Sequence, residues 1–270
     1  MKTIPMLAAA LVVWAAQAGT ALAAVPAAAP SPTVSESKAA RNAKVLDEAA
    51  RAVSKGEFTQ AFKLLKPLAA GGDANAQIKL ASLFALGLGV PKNQVIAYGW
   101  YLTAAQGGNV VAEAEVARRS IEGLGTDPDP ASAFLYSKKA AEHGSAVGNY
   151  LVGRCYRDGQ GVAKDEVKAL QYFGAAIQGG SLDAMSDIGL MYLQGAGTAK
   201  DEKQAVSWFT QAAAKGYARA QYNLAAAYHA GSGVVKDDAQ ALFWARAAAA
   251  QGDERAVQLA SSLEGDDKSR

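Results

Sequence analysis

The sequence predicts an all-α protein, a right-handed α-solenoid of tandem helix–turn–helix repeats with a 36-residue period. The chain is rich in alanine and has little proline after residue 30, a composition that favours helix. A Gly-x-Gly recurs every 36 residues, and aliphatic and aromatic positions follow the same step. One such unit cannot bury its apolar face alone, so stacked neighbours must complete the core.

The first 23 residues read as a secretory signal peptide. Lys2 precedes a mostly apolar stretch, and Ala21-Leu22-Ala23 is a small-x-small pattern that predicts cleavage before Ala24. The alternative is a membrane anchor, but the apolar stretch is short for a span of about 20 residues. Residues 24–35 follow as a Pro/Ala-rich segment, for which we expect a disordered tether.

Two segments are predicted to cap the array. Residues 36–71 contain two helical patterns joined through Gly56 and lack the Gly-x-Gly, which indicates capping helices. Residues 252–265 form one helical pattern with Glu264 at the aromatic position, and a polar outer face suits a terminal repeat. Residues 266–270 are predicted to be a frayed tail.

Between the caps, the 36-residue step defines five repeats. The Gly-x-Gly pairs are Gly87/Gly89, Gly123/Gly125, Gly159/Gly161, Gly195/Gly197 and Gly231/Gly233. The predicted repeat boundaries are 72–107, 108–143, 144–179, 180–215 and 216–251. The second repeat is divergent, because Ser120 replaces an aromatic residue and "TDPDP" replaces the usual turn.

Each repeat shows the signals of two helices. Leu80 and Phe84 lie on one face of a first helix, which Gly87 should end in a left-handed conformation. A second helix is predicted to begin after an N-cap residue. The five N-cap residues are Asn93, Asp129, Asp165, Asp201 and Asp237. The predicted buried stripe of the second helix is Ala97, Trp100 and Ala104, or Ala241, Trp244 and Ala248.

The Gly-x-Gly could also be a phosphate-binding loop, since Gly231 and Gly233 precede Lys236 and a helix. A phosphate loop would carry G-x-x-x-x-G-K-[ST], which is absent. Because the Gly-x-Gly occurs five times at one phase, the pattern indicates a turn.

The repeat resembles the Sel1-like repeat, a relative of the tetratricopeptide repeat. The pattern A-x-x-x-L-G-x-x-Y-x-x-G-x-G-V, followed by D-x-x-x-A-x-x-W-Y-x-x-A-A-x-x-G, is best matched from Ala184 to Gly216. The resemblance covers about residues 72 to 252. It implies an α-solenoid whose first helices line a concave wall, and it makes residues 36–71 look nearer to the tetratricopeptide form.

The resemblance also selects candidate binding residues on that concave wall. They are first-helix residues outside the core columns: Arg118, Tyr150, Arg154, Arg157, Tyr222 and His229. Arginines with aromatic residues suit a peptide that carries carboxylates, or another acidic or sugar-containing ligand. The alternative is a solvated face on which the arginines form intramolecular ion pairs, with Glu122 or Asp158 as partners.

The sequence offers little for catalysis or for metal binding. The two histidines lie in different repeats, so we expect no catalytic residue, no metal site and no cofactor. Ser35-Glu36-Ser37-Lys38 matches S-x-x-K, but no S-D-N or K-T-G follows. The near-neutral charge, +2 over the whole chain, does not fit a nucleic-acid partner. Cys155 is the single cysteine, which excludes an intramolecular disulfide and suggests a buried thiol.

These observations favour a non-catalytic scaffold that is exported to a Gram-negative periplasm, or beyond it, and binds protein or peptide partners, acidic ones among them. No stable membrane insertion is expected after signal cleavage. The alternative is an envelope enzyme or binding module that acts on β-lactam or peptidoglycan. It rests on cysteine-rich relatives of the repeat with a disulfide per repeat, whereas this chain has one cysteine.

Overall fold

The computed structural model describes residues 37–268, with side chains up to residue 265. The predicted signal peptide and tether lie outside these residues, as do the side chains of the predicted tail. Within residues 37–268 the structure contains thirteen α-helices and no strands. The predicted all-α fold of tandem helix–turn–helix repeats is confirmed.

The helices, numbered in chain order, alternate between the first and second helices of the repeats. They are α1 (Lys38–Ser54), α2 (Phe58–Ala70), α3 (Ala74–Leu86), α4 (Gln94–Gln106), α5 (Val110–Glu122), α6 (Pro130–Glu142), α7 (Ala146–Asp158), α8 (Glu166–Gln178), α9 (Leu182–Gln194), α10 (Glu202–Ala214), α11 (Ala218–Ala230), α12 (Asp238–Ala249) and α13 (Glu254–Lys268). Two compact units divide the chain, one ending at Pro128 and the other beginning at Asp129. The division falls inside the divergent turn "TDPDP".

The second helices begin where the sequence predicts. At each predicted N-cap the side-chain oxygen accepts a hydrogen bond from the backbone N–H three residues later, as between Asp237 and Gln240 at 2.9 Å. The first helices end at the predicted glycines, and Gly195 is left-handed with φ 70°. Capping and glycine chemistry are local, which is why the sequence reveals these helix ends.

The two glycines of the turn have different roles. Gly195 ends α9, whereas Gly197, also left-handed with φ 69°, lies against the start of α8 in the preceding repeat. A Cβ at Gly197 would come within 2.6 Å of the backbone carbonyl of Glu166. The second glycine is therefore required for close packing of backbones as well as for its φ angle.

In three of the five repeats the structure places the buried ring one residue after the predicted aromatic, at Tyr101, Phe173 and Phe209. The alanines of the stripe, such as Ala241 and Ala248, are fully buried. The predicted aromatic is half-buried at Trp208 and Trp244 but buried at Tyr136, and the residue after Trp208, Phe209, is 0% exposed. The ring of Phe209 lies over Gly189, where a Cβ would be 2.4 Å from a ring atom. The missing side chain at Gly189, like that at Gly153 beneath Phe173, makes room for the ring.

The first-helix core column is confirmed. Leu80, Val116, Val152, Ile188 and Leu224 are all buried. Cys155 is also fully buried, as the sequence suggested, and burial raises the pKa of its thiol.

Candidate functional site

The second unit carries five of the six candidate residues, on the first helices α7 and α11, and the first helix α9 of the intervening repeat lies between them in sequence. We call one surface of α7, α9 and α11 the first-helix face; its residues are partly exposed except for the buried Asp187. It comprises Tyr150, Arg154 and Arg157 of α7, Asp183, Asp187, Leu190 and Leu193 of α9, and Arg219, Tyr222, Asn223, Ala226 and His229 of α11.

A buried carboxylate joins the three helices. Asp187 is 1% exposed, and its Oδ1 accepts a hydrogen bond from the Arg219 guanidinium of the next repeat. Arg157 Nη1, from the preceding repeat, lies 3.0 Å from Asp187 Oδ2. Asp187 was not among the predicted residues. The available signal was its register, because the equivalent position one repeat earlier is the buried Leu151.

Arg157 is held by a second carboxylate as well. Its Nε and Nη2 donate to the two oxygens of Asp158, at 2.7 and 2.8 Å. This hydrogen-bonded pair keeps the pKa of Asp158 below its usual value. Arg157 is therefore engaged within the chain on two edges of its guanidinium, by Asp158 through Nε and Nη2 and by Asp187 through Nη1.

Arg154 has a different environment from Arg157. Its guanidinium carbon lies 6.0 Å from the centre of the Tyr150 ring, and its charge acts on Asp158, whose hydrogen bonds are made with Arg157. Tyr150 is half-buried, and its ring lies 5.7 Å from that of Phe173. Burial, followed by the charge of Asp187, raises the pKa of Tyr150 to about 12. The Tyr150 ring therefore contacts both the core residue Phe173 and the Arg154 guanidinium.

The two candidates on α11 are both in contact with other elements. The Arg255 guanidinium of α13 lies 4.3 Å from the centre of the Tyr222 ring. His229 Nδ1 is 2.7 Å from Asp238 Oδ1 at the start of α12, and this hydrogen bond lowers the pKa of Asp238. Neither side chain touches α7, so the predicted set does not form one cluster within the second unit.

Arg118 belongs to the first unit, on α5. Its Nη2 lies 2.6 Å from Glu115 Oε1, and its Nη1 contacts Glu122. The ion pairs that the sequence offered as the alternative, Arg118 with Glu122 and Arg157 with Asp158, are thus both present. The predicted binding of an acidic ligand by these arginines stays a prediction.

The face also contains two polar contacts that the sequence prediction missed. Tyr217 takes the N-cap position of α11 without a capping hydrogen bond, and its hydroxyl donates to Asp183 instead. Asn223 Nδ2 donates to Ser186 Oγ at 3.1 Å. Together with Asp187 and its arginines, these contacts form a fixed polar strip across α9 and α11.

Beside this strip lies an apolar pocket of about 280 Å³. Leu190 and Leu193 of α9 form one wall and Ala226 and Ala230 of α11 form the other, with Phe209 of α10 between them. The pocket exists because α11 has alanine where α9 has leucine. The sequence prediction missed it, since the search there was for charged and aromatic residues.

Within residues 37–268 the structure contains no group of three or more side chains suited to a metal ion. None of the helices in this range has the length and apolar character that crossing a bilayer needs. The chemistry that the first-helix face offers is recognition, through an apolar pocket and neighbouring polar groups.

Comparison with known proteins gives a consistent result. A family model described as Sel1 repeat matches residues 74–109, 110–145, 146–181, 182–217 and 218–253. No curated protein sequence matches the chain significantly.

Solved structures share the architecture. A Sel1 repeat protein from Oxalobacter formigenes is 32% identical with a TM-score of 0.72, over 82% of this chain and 87% of that one. A protective antigen present in uropathogenic Escherichia coli strains, which displays an SLR fold, is 28% identical with a TM-score of 0.68. That match covers 80% of this chain but 47% of the antigen. A Sel1 repeat protein from Klebsiella pneumoniae, 24% identical, has a TM-score of 0.51 over 75% of this chain and 99% of that one, and shows the fold alone.

Proposed function

Because the chain belongs to the Sel1 repeat family, we propose that it is a non-catalytic adaptor that binds a protein partner through the first-helix face of its second unit. Sel1 repeat proteins are commonly modules of protein–protein interaction, and the family is generally a non-catalytic scaffold. The proposal adds a location for the binding surface and a cellular compartment.

One observation carries the location, namely the apolar pocket between α9 and α11. Protein interfaces combine a desolvated apolar anchor with a polar rim. The pocket walls of Leu190, Leu193 and Ala226 supply the apolar part. The strip centred on Asp187 supplies fixed polar groups at its edge. Because that strip is already ordered by ion pairs, little side-chain entropy is lost when a partner binds.

The compartment is proposed from the sequence. Lys2, the apolar stretch 6–18 and Ala21-Leu22-Ala23 form a signal-peptide pattern, so the mature protein would begin at Ala24 in the periplasm. Mass spectrometry of the protein recovered from a periplasmic fraction tests this. An intact mass that still includes residues 1–23, or recovery only from the cytoplasm, would overturn the exported location.

The binding surface is tested by filling the pocket. Ala226→Leu places a larger side chain in the pocket from α11, where α9 already has Leu190. Ala239→Leu is the matched control, because Ala239 is exposed on the second helix α12. Each form is crosslinked in cells that express it, purified under denaturing conditions and analysed by mass spectrometry. Circular dichroism checks that both variants keep the helicity of the wild type.

We expect a protein partner that crosslinks to the wild type and to Ala239→Leu, and that is lost or reduced at least tenfold with Ala226→Leu. A partner retained equally by both variants would contradict the location of the surface. Recovery of peptidoglycan fragments in place of protein, or turnover of nitrocefin by the purified chain, would contradict the adaptor function and favour the envelope-enzyme alternative.

A further inference from the structure

We propose that the occupant of this pocket is a peptide with one aliphatic or aromatic anchor side chain and, about three to five residues away, a carboxylate that pairs with Arg154. This inference rests on the proposed function, because it names the chemistry of the partner segment that the first-helix face receives. It follows from three properties of the face: the size of the pocket, the distribution of charge and the spacing of the helices.

The size of the pocket selects a side chain as its occupant. Its volume is about 280 Å³. Sites for drug-sized ligands occupy roughly 300 to 1,000 Å³. The pocket is thus at the lower limit for a small molecule, and its walls of leucine, alanine and Phe209 present almost no polar atoms to orient one. A single Leu, Ile, Met or Phe side chain at the surface of a peptide fits this description.

The distribution of charge selects the neighbouring group. Asp187 neutralises Arg219 and shares Arg157 with Asp158. Arg154 is coupled to Asp158 by charge alone, whereas the hydrogen bonds of Asp158 go to Arg157, so the Arg154 guanidinium keeps its hydrogen-bonding capacity for a ligand. It is half-buried against the Tyr150 ring, and a partly desolvated guanidinium forms strong, bidentate hydrogen bonds with a carboxylate.

The spacing of the helices selects the distance between the two groups. Arg154, Leu190 and Ala226 have the same position in three consecutive repeats, so they lie at one level along their helices. Packed helices are separated by about 8 to 10 Å. An extended peptide advances about 3.3 to 3.6 Å per residue. The pocket lies between α9 and α11, so Arg154 on α7 is about one and a half helix spacings away, and a peptide that crosses the first helices reaches it in about three to five residues.

The test begins with a selection of random octapeptides displayed on phage against the purified full chain. We expect enrichment of sequences with Leu, Ile, Met or Phe and with Asp or Glu about three to five positions away. A selected peptide is then synthesised with a fluorophore, and its affinity is measured by fluorescence anisotropy. A second peptide carries the amide, Asn or Gln, in place of the acidic residue.

Three variants of the chain separate the contributions. Arg154→Gln should weaken binding of the acidic peptide about five- to tenfold, within the range for partly exposed charge-assisted pairs, and should bind the amide peptide no differently from the wild type. Arg41→Gln makes the same charge change at an exposed position of α1 and should leave both affinities within about twofold, as screened distant charges do. Ala226→Leu should abolish binding of both peptides.

The outcomes distinguish this inference from the proposed function. Loss of binding with Ala226→Leu, together with equal affinities for Arg154→Gln and Arg41→Gln, would overturn the acidic peptide and leave the pocket as the binding surface. Selected peptides that lack an acidic residue at a fixed distance from the apolar anchor would likewise overturn the acidic peptide and leave the pocket as the binding surface. Binding that survives Ala226→Leu, or no enrichment by a folded chain, would overturn the inference, and the former would contradict the proposed surface as well.

Discussion

Asp187 of α9 and Arg219 of α11 form an ion pair between consecutive repeats, and Asp187 is 1% exposed. Arg157 reaches the same carboxylate from α7, so one side chain connects the first helices of three repeats. Two arginines at one buried carboxylate fix the relative positions of these helices beside the pocket. The Asp187–Arg219 pair therefore stabilises the packing of the repeats. It also orders the polar side chains beside the pocket for which binding is proposed.

Removal of one of these arginines should destabilise the second unit. Arg219→Met keeps the aliphatic stem but leaves Asp187 with Arg157 alone, and we expect a loss of about 1 to 2 kcal/mol in the free energy of unfolding. Arg154→Met should cost less than about 0.5 kcal/mol, since Asp158 keeps its hydrogen bonds with Arg157. Urea unfolding measures both. Equal effects of the two substitutions would show that the Asp187 pair contributes no net stability.

Lys79 of α3 should make stability depend on pH. It is 8% exposed, and burial lowers its pKa from 10.5 to about 8. Between these values the unfolded chain binds more protons at Lys79 than the native chain does, so stability should rise with pH above about 8. Lys79→Met should stabilise the protein at pH 7 by about 2 kcal/mol and should reduce that rise.

The matched control for Lys79 is Lys63→Met, at an exposed position of α2. Urea unfolding at pH 7 and at pH 10 is measured for the wild type and both variants. If Lys79→Met lowers stability at pH 7, or changes it no more than Lys63→Met, then the native protein holds the charged Lys79 without cost.

The close contact of Gly189 with Phe209 predicts that alanine substitutions at two helical glycines have opposite effects on stability. Gly189→Ala places a Cβ 2.4 Å from a ring atom of Phe209, and overpacking of this kind costs about 1 to 3 kcal/mol. Gly174→Ala, in α8, meets no heavy atom within 4 Å and should stabilise the protein by about 0.5 to 1 kcal/mol through helix propensity. Thermal unfolding compares them. A Gly189→Ala protein as stable as the wild type would mean that the ring moves aside freely.

Two left-handed glycines allow backbone strain to be separated from close packing. Gly216 has φ 83° and open space around it, so Gly216→Ala should cost about 1 to 2 kcal/mol for the left-handed conformation alone. Gly197→Ala should cost at least about 2 kcal/mol more, because its Cβ would also overlap the Glu166 carbonyl. The difference between their free energies of unfolding is the measured quantity. No difference would imply that α8 shifts to admit the methyl group.

The sequence predicted the repeat more completely than it predicted the surface. Helix ends followed from N-cap residues such as Asp237 and from glycines such as Gly195, whose chemistry acts within a few residues. The predicted aromatic was one residue off in the repeat of Trp208 and Phe209, because these two residues are adjacent and both apolar. Phe209 enters the core where Gly189 leaves space for its ring.

For the candidate site, too, local features were predictable from the sequence and contacts between repeats were not. The sequence by itself determined the period and the helix boundaries, because these depend on local spacing, while the resemblance to a known repeat selected Arg154 as a candidate. Only the tertiary structure decided that Arg157 is committed to Asp187, 30 residues away, and that Ala226 opens a pocket against Leu190. Contacts between repeats depend on which side chains meet across a helix pair, and the 36-residue period alone does not specify those partners.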